Sequence, residues 1–327
     1  MEFEDSFFKK EVREGFEISS MMKRAWAAEM EVLSVIDAIC KKHGITWFAD
    51  FGTLLGAVRH NGFIPWDDDI DICLVRDEYQ RLLRVLPEEL PRGFVIAGMY
   101  AKESRLQEAA RIHQLRIIAD ETLWDFNDYM RYFHGFPYQR IGIDIFPVDF
   151  LPKDKEEEKI LKEILKFGFV TVQNWDRWKE EGVLIDRIDN LEKICNVPIP
   201  RDGSEYNYIW KLMDSVSMLY KKEDSDYMAE MIFYVEEDSY RMKKEWYESE
   251  VFLPFENGLS IPVPIGYKDI LTGYYGDYMK PSRVGADHSY PFYGNMEEEL
   301  EKQVRAVGFK GTIEDFCKEV SEGLLSV

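Results

Sequence analysis

The run FIPWDDDIDICLV, residues 63–75, places four aspartates in five positions and continues directly into an apolar segment. Carboxylates at that density bind metal or repel one another. Past the turn residues Pro65 and Trp66, alternation puts Asp69, Asp71 and Cys73 on one face of an extended segment and Ile70, Ile72 and Leu74 on the other. Two carboxylates two residues apart on one strand can grip a single hard cation, for which hydrated Mg2+ is the natural candidate and Mn2+ a substitute. A second metal would call for a third acid on a neighbouring strand. IGIDIFPVDF, residues 141–150, supplies one: Ile141, Ile143 and Ile145 share a face and leave Asp144 on the opposite one, whereas Asp149 lies beyond Pro147 and is less suited to the same site.

Upstream, Gly52 and Thr53 open the segment GTLLGAVRHNGF, which turns helical. Free N–H groups and a hydroxyl at a helix start suit a phosphate. The plainer alternatives are that Gly52 serves only the turn backbone and Thr53 only as a helix cap. Arg59, further along the same helix, either faces phosphates or forms a surface ion pair. Lys280, Arg283 and His288 fall in a Gly-, Pro- and Tyr-rich stretch, residues 254–292, of the kind that carries ligand contacts, although cationic loop residues are commonly just solvated.

These residues need elements to hold them. Residues 20–43 read as a helix, with Met22, Trp26, Leu33, Ile36 and Cys40 on one buried face and Gly44 as its stop. Residues 45–51 form a short strand before the Gly52 turn, 77–90 a helix, and 94–99 and 110–119 strands. Residues 141–150 form a further strand interrupted by its proline. From KDKEEEKILKEILKF onward the pattern is mostly helical, and the EEEK cluster reads as a solvated helix surface. The order implies an α+β fold: a mixed β-sheet core over 1–150 and a mostly helical C-terminal region over 151–327, packed as one compact unit. No internal repeat or disordered linker interrupts it.

Composition limits the partners. The formal net charge is −21, from 62 acidic against 41 basic residues, which opposes nucleic acid as the main ligand. Apolar residues at 46% and aromatics at 14% indicate a globular chain. Cys40, Cys73, Cys195 and Cys317 form neither a CxxC pair nor a Cys/His cluster, as expected of a reducing compartment without structural zinc. The charged N-terminus lacks the apolar core of a signal peptide, and no apolar run approaches a bilayer span. A cytoplasmic protein is expected, peripheral to a membrane if its acceptor is lipid-linked.

GTLLGAVRHNGFIPWDDDIDICLVRDEY resembles the signature of the LicD/fukutin family of phosphotransferases, and IGIDIFPVDF, YGDYMKP and a downstream His resemble its later blocks. The resemblance covers most of the chain and is strongest over residues 47–79. It implies a nucleotidyltransferase-like fold that moves a phospho-substituent from a CDP-activated donor to a sugar hydroxyl. The bacterial branch is similar to phosphocholine transferases that decorate surface glycans, so CDP-choline as donor and a lipopolysaccharide or teichoic-acid precursor as acceptor are implied. On this resemblance Asp69 and Asp71 hold Mg2+ against the donor pyrophosphate. Asp144 completes the metal site and takes the proton of the attacking hydroxyl.

Two other readings remain open. One keeps the fold but transfers a nucleotide or a polyol phosphate. The other is a binding protein that has lost the reaction, against which the intact Asp69, Asp71 and Asp144 argue. The aromatics, Trp124, Phe126, Tyr129, Tyr132 and Phe133 and later Tyr267, Tyr274, Tyr275, Tyr278, Tyr290 and Tyr293, are candidates for a quaternary-ammonium cage or simply for core packing.

Overall fold

A computed structural model describes residues 1–107, 115–138, 141–282 and 290–327. A small hairpin, β1 (Glu11–Arg13) and β2 (Phe16–Ile18), leads into α1 (Ser20–His43). The Ser19 hydroxyl accepts from the Met22 amide at the start of α1, and Gly44 ends the helix in the left-handed region, its N–H returning to the Cys40 and Lys41 carbonyls. The apolar face expected from the sequence is buried, Trp26 and Ile36 completely. Lys23, Arg24, Glu29 and Glu31 of α1 are buried as well: Lys23 pairs with Glu11 of the hairpin, Glu31 with His134 and the N-terminal amine, and Glu29 lies toward Arg116.

The chain continues through β3 (Phe48–Ala49), α2 (Phe51–His60), β4 (Asp71–Val75), α3 (Arg76–Glu89), β5 (Phe94–Ala97), α4 (Ser104–Gln107), β6 (Leu115–Ala119), α5 (Phe126–Tyr132) and β7 (Gly142–Leu151). The strands lie in the order β3-β4-β7-β6-β5, with β4 and β7 parallel and the other neighbours antiparallel. This is the mixed sheet expected. The strand expected over 45–51 shrinks to two residues, because Asp50 already caps α2 by accepting from the Phe51 amide at 2.8 Å. The expected interruption of β7 does not occur. Pro147 pairs with Leu74 within the parallel ladder of β4 and β7, and among the described residues β6 pairs with β7 as far as Ile145 and β8 from Asp149 onward. The pairing with β4 carries the strand through its proline.

Beyond β7 come α6 (Lys155–Gln173), α7 (Trp175–Glu180), α8 (Leu184–Cys195) and α9 (Glu205–Ser217), whose apolar faces form a second core cluster with Leu151 and Ala229. The rest is less helical than the sequence suggested: β8 (Tyr227–Ala229), α10 (Met231–Tyr234), β9 (Arg241–Lys243), the hairpin β10 (Glu250–Phe255) with β11 (Leu259–Pro264), α11 (Tyr267–Tyr275), α12 (Glu297–Ala306) and α13 (Ile313–Ser321). The hairpin occupies the start of the 254–292 stretch, where the sequence reading placed no strands. Glu256, Asn257 and Gly258 connect the paired ends Phe255 and Leu259, and Asn257 and Gly258 take positive φ, 54° and 71°, to reverse the chain.

Among the EEEK residues the solvated reading fails for Glu158. It is 5% exposed and accepts from Tyr234 and Arg241 at 2.7 Å each, since α6 turns that position toward β9 and α10. Trp124, Tyr129, Tyr132 and Phe133 pack on one another and on Phe94, with Tyr129 and Phe133 fully buried; core packing explains that set.

Candidate active site

The parallel register of β4 and β7 sets Asp71 directly beside Asp144. On the other side of β7, Asp144 pairs with Arg116 of β6, so three charged residues stand in a row across one face of the sheet. The Arg116 guanidinium lies 3.4 Å from Asp144 Oδ2. Asp144 is the first cause that holds this guanidinium charged, and Glu29, Asp69 and Asp71 add to it.

The turn before β4 brings three more acids together. Asp67, Asp68 and Asp69 each offer one oxygen within a 4.8 Å cluster. Trp26 Nε1 donates to the Asp67 carbonyl at 2.9 Å, and the Phe292 amide donates to Asp68 Oδ2 at 2.7 Å, which pins the turn from two sides. Burial first, then the charge of Asp69, pushes the Asp67 and Asp71 carboxyls well above the usual range; Asp144, Asp67 and Asp50 add to the effect at Asp71. A donor set made only of crowded carboxylate oxygens, destabilised by its own charge, fits a hard divalent cation.

Gly52 owes its place to this turn. A Cβ there would meet Asp67 Oδ2 at 2.2 Å, so only glycine lets the start of α2 lie against the carboxylate. Thr53 is buried, and its hydroxyl accepts from the Asp71 amide at 2.9 Å, tying α2 to the first residue of β4. In this structure the hydroxyl therefore positions Asp71. Arg59 donates to the Tyr278 carbonyl and to His60 Nε2, both at 2.9 Å, which joins α2 to the segment after α11. Lys280 is exposed in that segment. Arg283 and His288 lie outside the described residues.

Asp149 is turned away, as expected. It is 1% exposed and grips Arg76 through two hydrogen bonds, while Arg76 also donates to Asp214 of α9 at 2.8 Å. A cavity of about 30 Å3 adjoins this network, lined among others by Arg76, Asp149, Asp214 and Trp210; none of Asp69, Asp71 and Asp144 lines it.

Several neighbours of the site escaped the sequence reading. Glu29 of α1 is 1% exposed, and burial first raises its carboxyl, with Arg116, Asp69 and Asp144 all within electrostatic reach. Asp50 and Glu230 each offer an oxygen within 4.8 Å of Cys73 Sγ and of one another, on the same face of β4 as Asp71. Phe51 takes φ +41°, a strained value for a bulky side chain, between the Asp50 cap and Gly52. Arg116 and Asp50 did leave a trace: one is a charge inside an apolar strand pattern, the other an acid just before a helix. Glu230 left none.

Comparison with known proteins adds to this geometry. Residues 44–163 match the model of the LicD/FKTN/FKRP nucleotidyltransferase domain, a span that runs from the end of α1 into α6 and contains Asp69, Asp71, Asp144 and Arg116. A lipopolysaccharide cholinephosphotransferase LicD of Haemophilus influenzae is 30% identical over 264 residues, which covers 77% of this chain and 88% of that protein. Shorter matches reach uncharacterised proteins of Rickettsia prowazekii, 41% identical over 56 residues, and Rickettsia typhi, 34% over 83 residues; they cover 17% and 24% of this chain and 21% and 27% of those proteins.

Proposed function

The chain belongs to the LicD/FKTN/FKRP family, and from that membership and the carboxylate site we propose that it transfers phosphocholine from a CDP-activated donor, CDP-choline, to a hydroxyl of a cell-surface glycan precursor. The observation that carries the reading is the register that stands Asp71 beside Asp144, with Asp69 two residues before Asp71 and Arg116 opposite. The acceptor class is taken from the relative named as acting on lipopolysaccharide. No helix among the described residues is long and apolar enough to cross a membrane, which is compatible with work at the cytoplasmic side on a lipid-linked acceptor.

Asp69, Asp71 and Asp144 would hold Mg2+. When bound, the ion supplies charge neutralisation at the donor pyrophosphate. The chain's own groups account for the rest of the transfer. Asp144 takes the proton of the acceptor hydroxyl as its oxygen forms a bond to the phosphorus that bears choline. The bond from that phosphorus to the bridging oxygen breaks on the opposite side, and CMP departs with the electron pair. Arg116, 3.4 Å from Asp144, would balance charge on the non-bridging oxygens. Phosphoryl transfer asks for alignment and charge balance more than for covalent help, so no Ser or Cys nucleophile is needed.

A donor panel tests the proposal. The protein is incubated with Mg2+, a glycan acceptor and CDP-choline, CDP-ethanolamine, CDP-ribitol, CDP-glycerol or CTP, and release of CMP and of pyrophosphate is followed separately. CMP from CDP-choline, absent in Asp71→Asn, is the expected result. Pyrophosphate from CTP would replace the proposal with nucleotidyl transfer, and CMP from a polyol donor alone would replace the head group.

A further inference from the structure

Four half-buried aromatic rings border the carboxylate site: Phe51 and Tyr274 stack at 5.5 Å, Phe233 and Tyr240 at 5.2 Å, Phe51 meets Phe233 edge-on at 5.1 Å, and Tyr240 meets Tyr274 at 4.8 Å. The group is anchored to the sheet through Phe146, which touches Phe51 at 5.1 Å and Phe233 at 5.8 Å. Phe146 follows Asp144 by two residues on the same face of β7, a step of ~7 Å along the strand. Through Phe146 the rings are joined to the face of β7 that carries Asp144, and through Phe51 to the start of α2 beside Gly52.

Beside the rings lies a buried acid pair. Tyr274 donates to Glu230 Oε1 at 3.3 Å. Asp50 and Glu230 are each 1% exposed and bring carboxyl oxygens within 4.8 Å of one another, close enough to share one proton and keep a negative charge. Aromatic faces over a buried acid pair attract a cation that offers no N–H of its own, because ring quadrupoles and a diffuse negative field need no hydrogen-bond geometry. A primary ammonium would need acceptors at its hydrogens, which aromatic faces supply poorly.

We propose that Phe51, Phe233, Tyr240 and Tyr274, backed by the Asp50–Glu230 pair, form the subsite for a quaternary ammonium head group in this protein. The proposal rests on the reading of the adjoining carboxylates as a phosphotransfer site. The rings touch one another, so the cation lies on their exposed faces and not between them. The set differs from the aromatics that the sequence offered, of which Tyr274 alone is retained. Its strained member, Phe51, is held by the Asp50 cap, which ties the ring platform to the same helix start that accommodates Asp67.

Calorimetric titration of the whole protein with choline, and separately with CMP in the presence of Mg2+, tests the subsite in wild type, Tyr240→Leu, Phe233→Leu and Glu230→Gln. Choline affinity is expected to fall roughly tenfold in each variant, while CMP affinity stays at the wild-type value and certifies that the fold is intact. Choline affinity unchanged in both ring variants, or no saturable choline binding by a protein that binds CMP, would overturn the subsite. Parallel loss of choline and CMP affinity in every variant would also overturn it, by assigning these residues to the fold. If choline binding depends on the rings but CDP-choline never releases CMP, the subsite stands and the transfer reading falls.

Discussion

Asp71 and Asp144 are neighbours because β4 and β7 run parallel with these two residues in register, and nothing separates the two carboxylates but the strand spacing. Their mutual repulsion costs stability that function recovers. Asp71→Asn removes one of the crowded charges, so it should abolish CMP release and at the same time raise the melting temperature of the metal-free protein by about 2–4 °C. Wild-type turnover in that variant would take Asp71 out of the mechanism. Mg2+ with CMP should raise the melting temperature of wild type and have little effect on the variant. Asp144→Asn should be similarly inactive. Arg116 keeps its charge in every case, since Glu29 and Asp69 also face it.

At the scale of elements, the start of α2 organises the site: Asp50 caps it, Gly52 clears space for Asp67, and Thr53 holds the Asp71 amide. Gly52→Ala would push its Cβ into the Asp67 carboxylate. The displaced group is the end of a short side chain, so activity should drop by tenfold or more while the denaturation midpoint barely moves; a strongly destabilised variant would show that the backbone, not Asp67, gives way. Helix α6 offers a second test. Hydrogen bonds from Arg241, Lys155 and Tyr234 outweigh burial and hold the Glu158 carboxyl at about 2, down from 4.5. A depressed carboxyl contributes stability that is fully present above 4.5 and is lost as pH falls toward about 2. Glu158→Gln should therefore lower stability at pH 7 by about 1–3 kcal/mol, and its difference from wild type should shrink on acidification through that window. A gap that stays constant down to pH 2 would rule out the charge as the source.

Across the whole molecule, Arg76 is the tie between the sheet and the helices that follow it. It leaves the start of α3, grips Asp149 on β7 and reaches Asp214 on α9, and Tyr100 donates to the same Asp214. Cutting a buried pair strands a charge, so Asp149→Ala should cost about 3–5 kcal/mol. Its turnover per folded molecule, measured well below the melting temperature, should remain near wild type because Asp149 lies outside the carboxylate cluster. Loss of turnover in a fully folded Asp149→Ala protein would move the third acid from Asp144 to Asp149.

Local chemistry made much of this legible in the chain. Alternation assigned Asp71 and Cys73 to one face and Asp144 to the matching face of its own strand, and Gly44 marked the end of α1, because side-chain direction and helix capping depend on a few adjacent residues. What spacing along the chain leaves open is which strand lies beside which. The parallel pairing of β4 with β7, the placement of Arg116 opposite Asp144, and the meeting of Asp50 with Glu230 across 180 positions of sequence are decided by how the sheet and its covering segments pack. The same packing buries Glu158 and gathers Phe51, Phe233, Tyr240 and Tyr274. Burial and charge coupling arise only when distant segments meet, so the residues that tune this site are the ones that periodicity alone leaves unmarked.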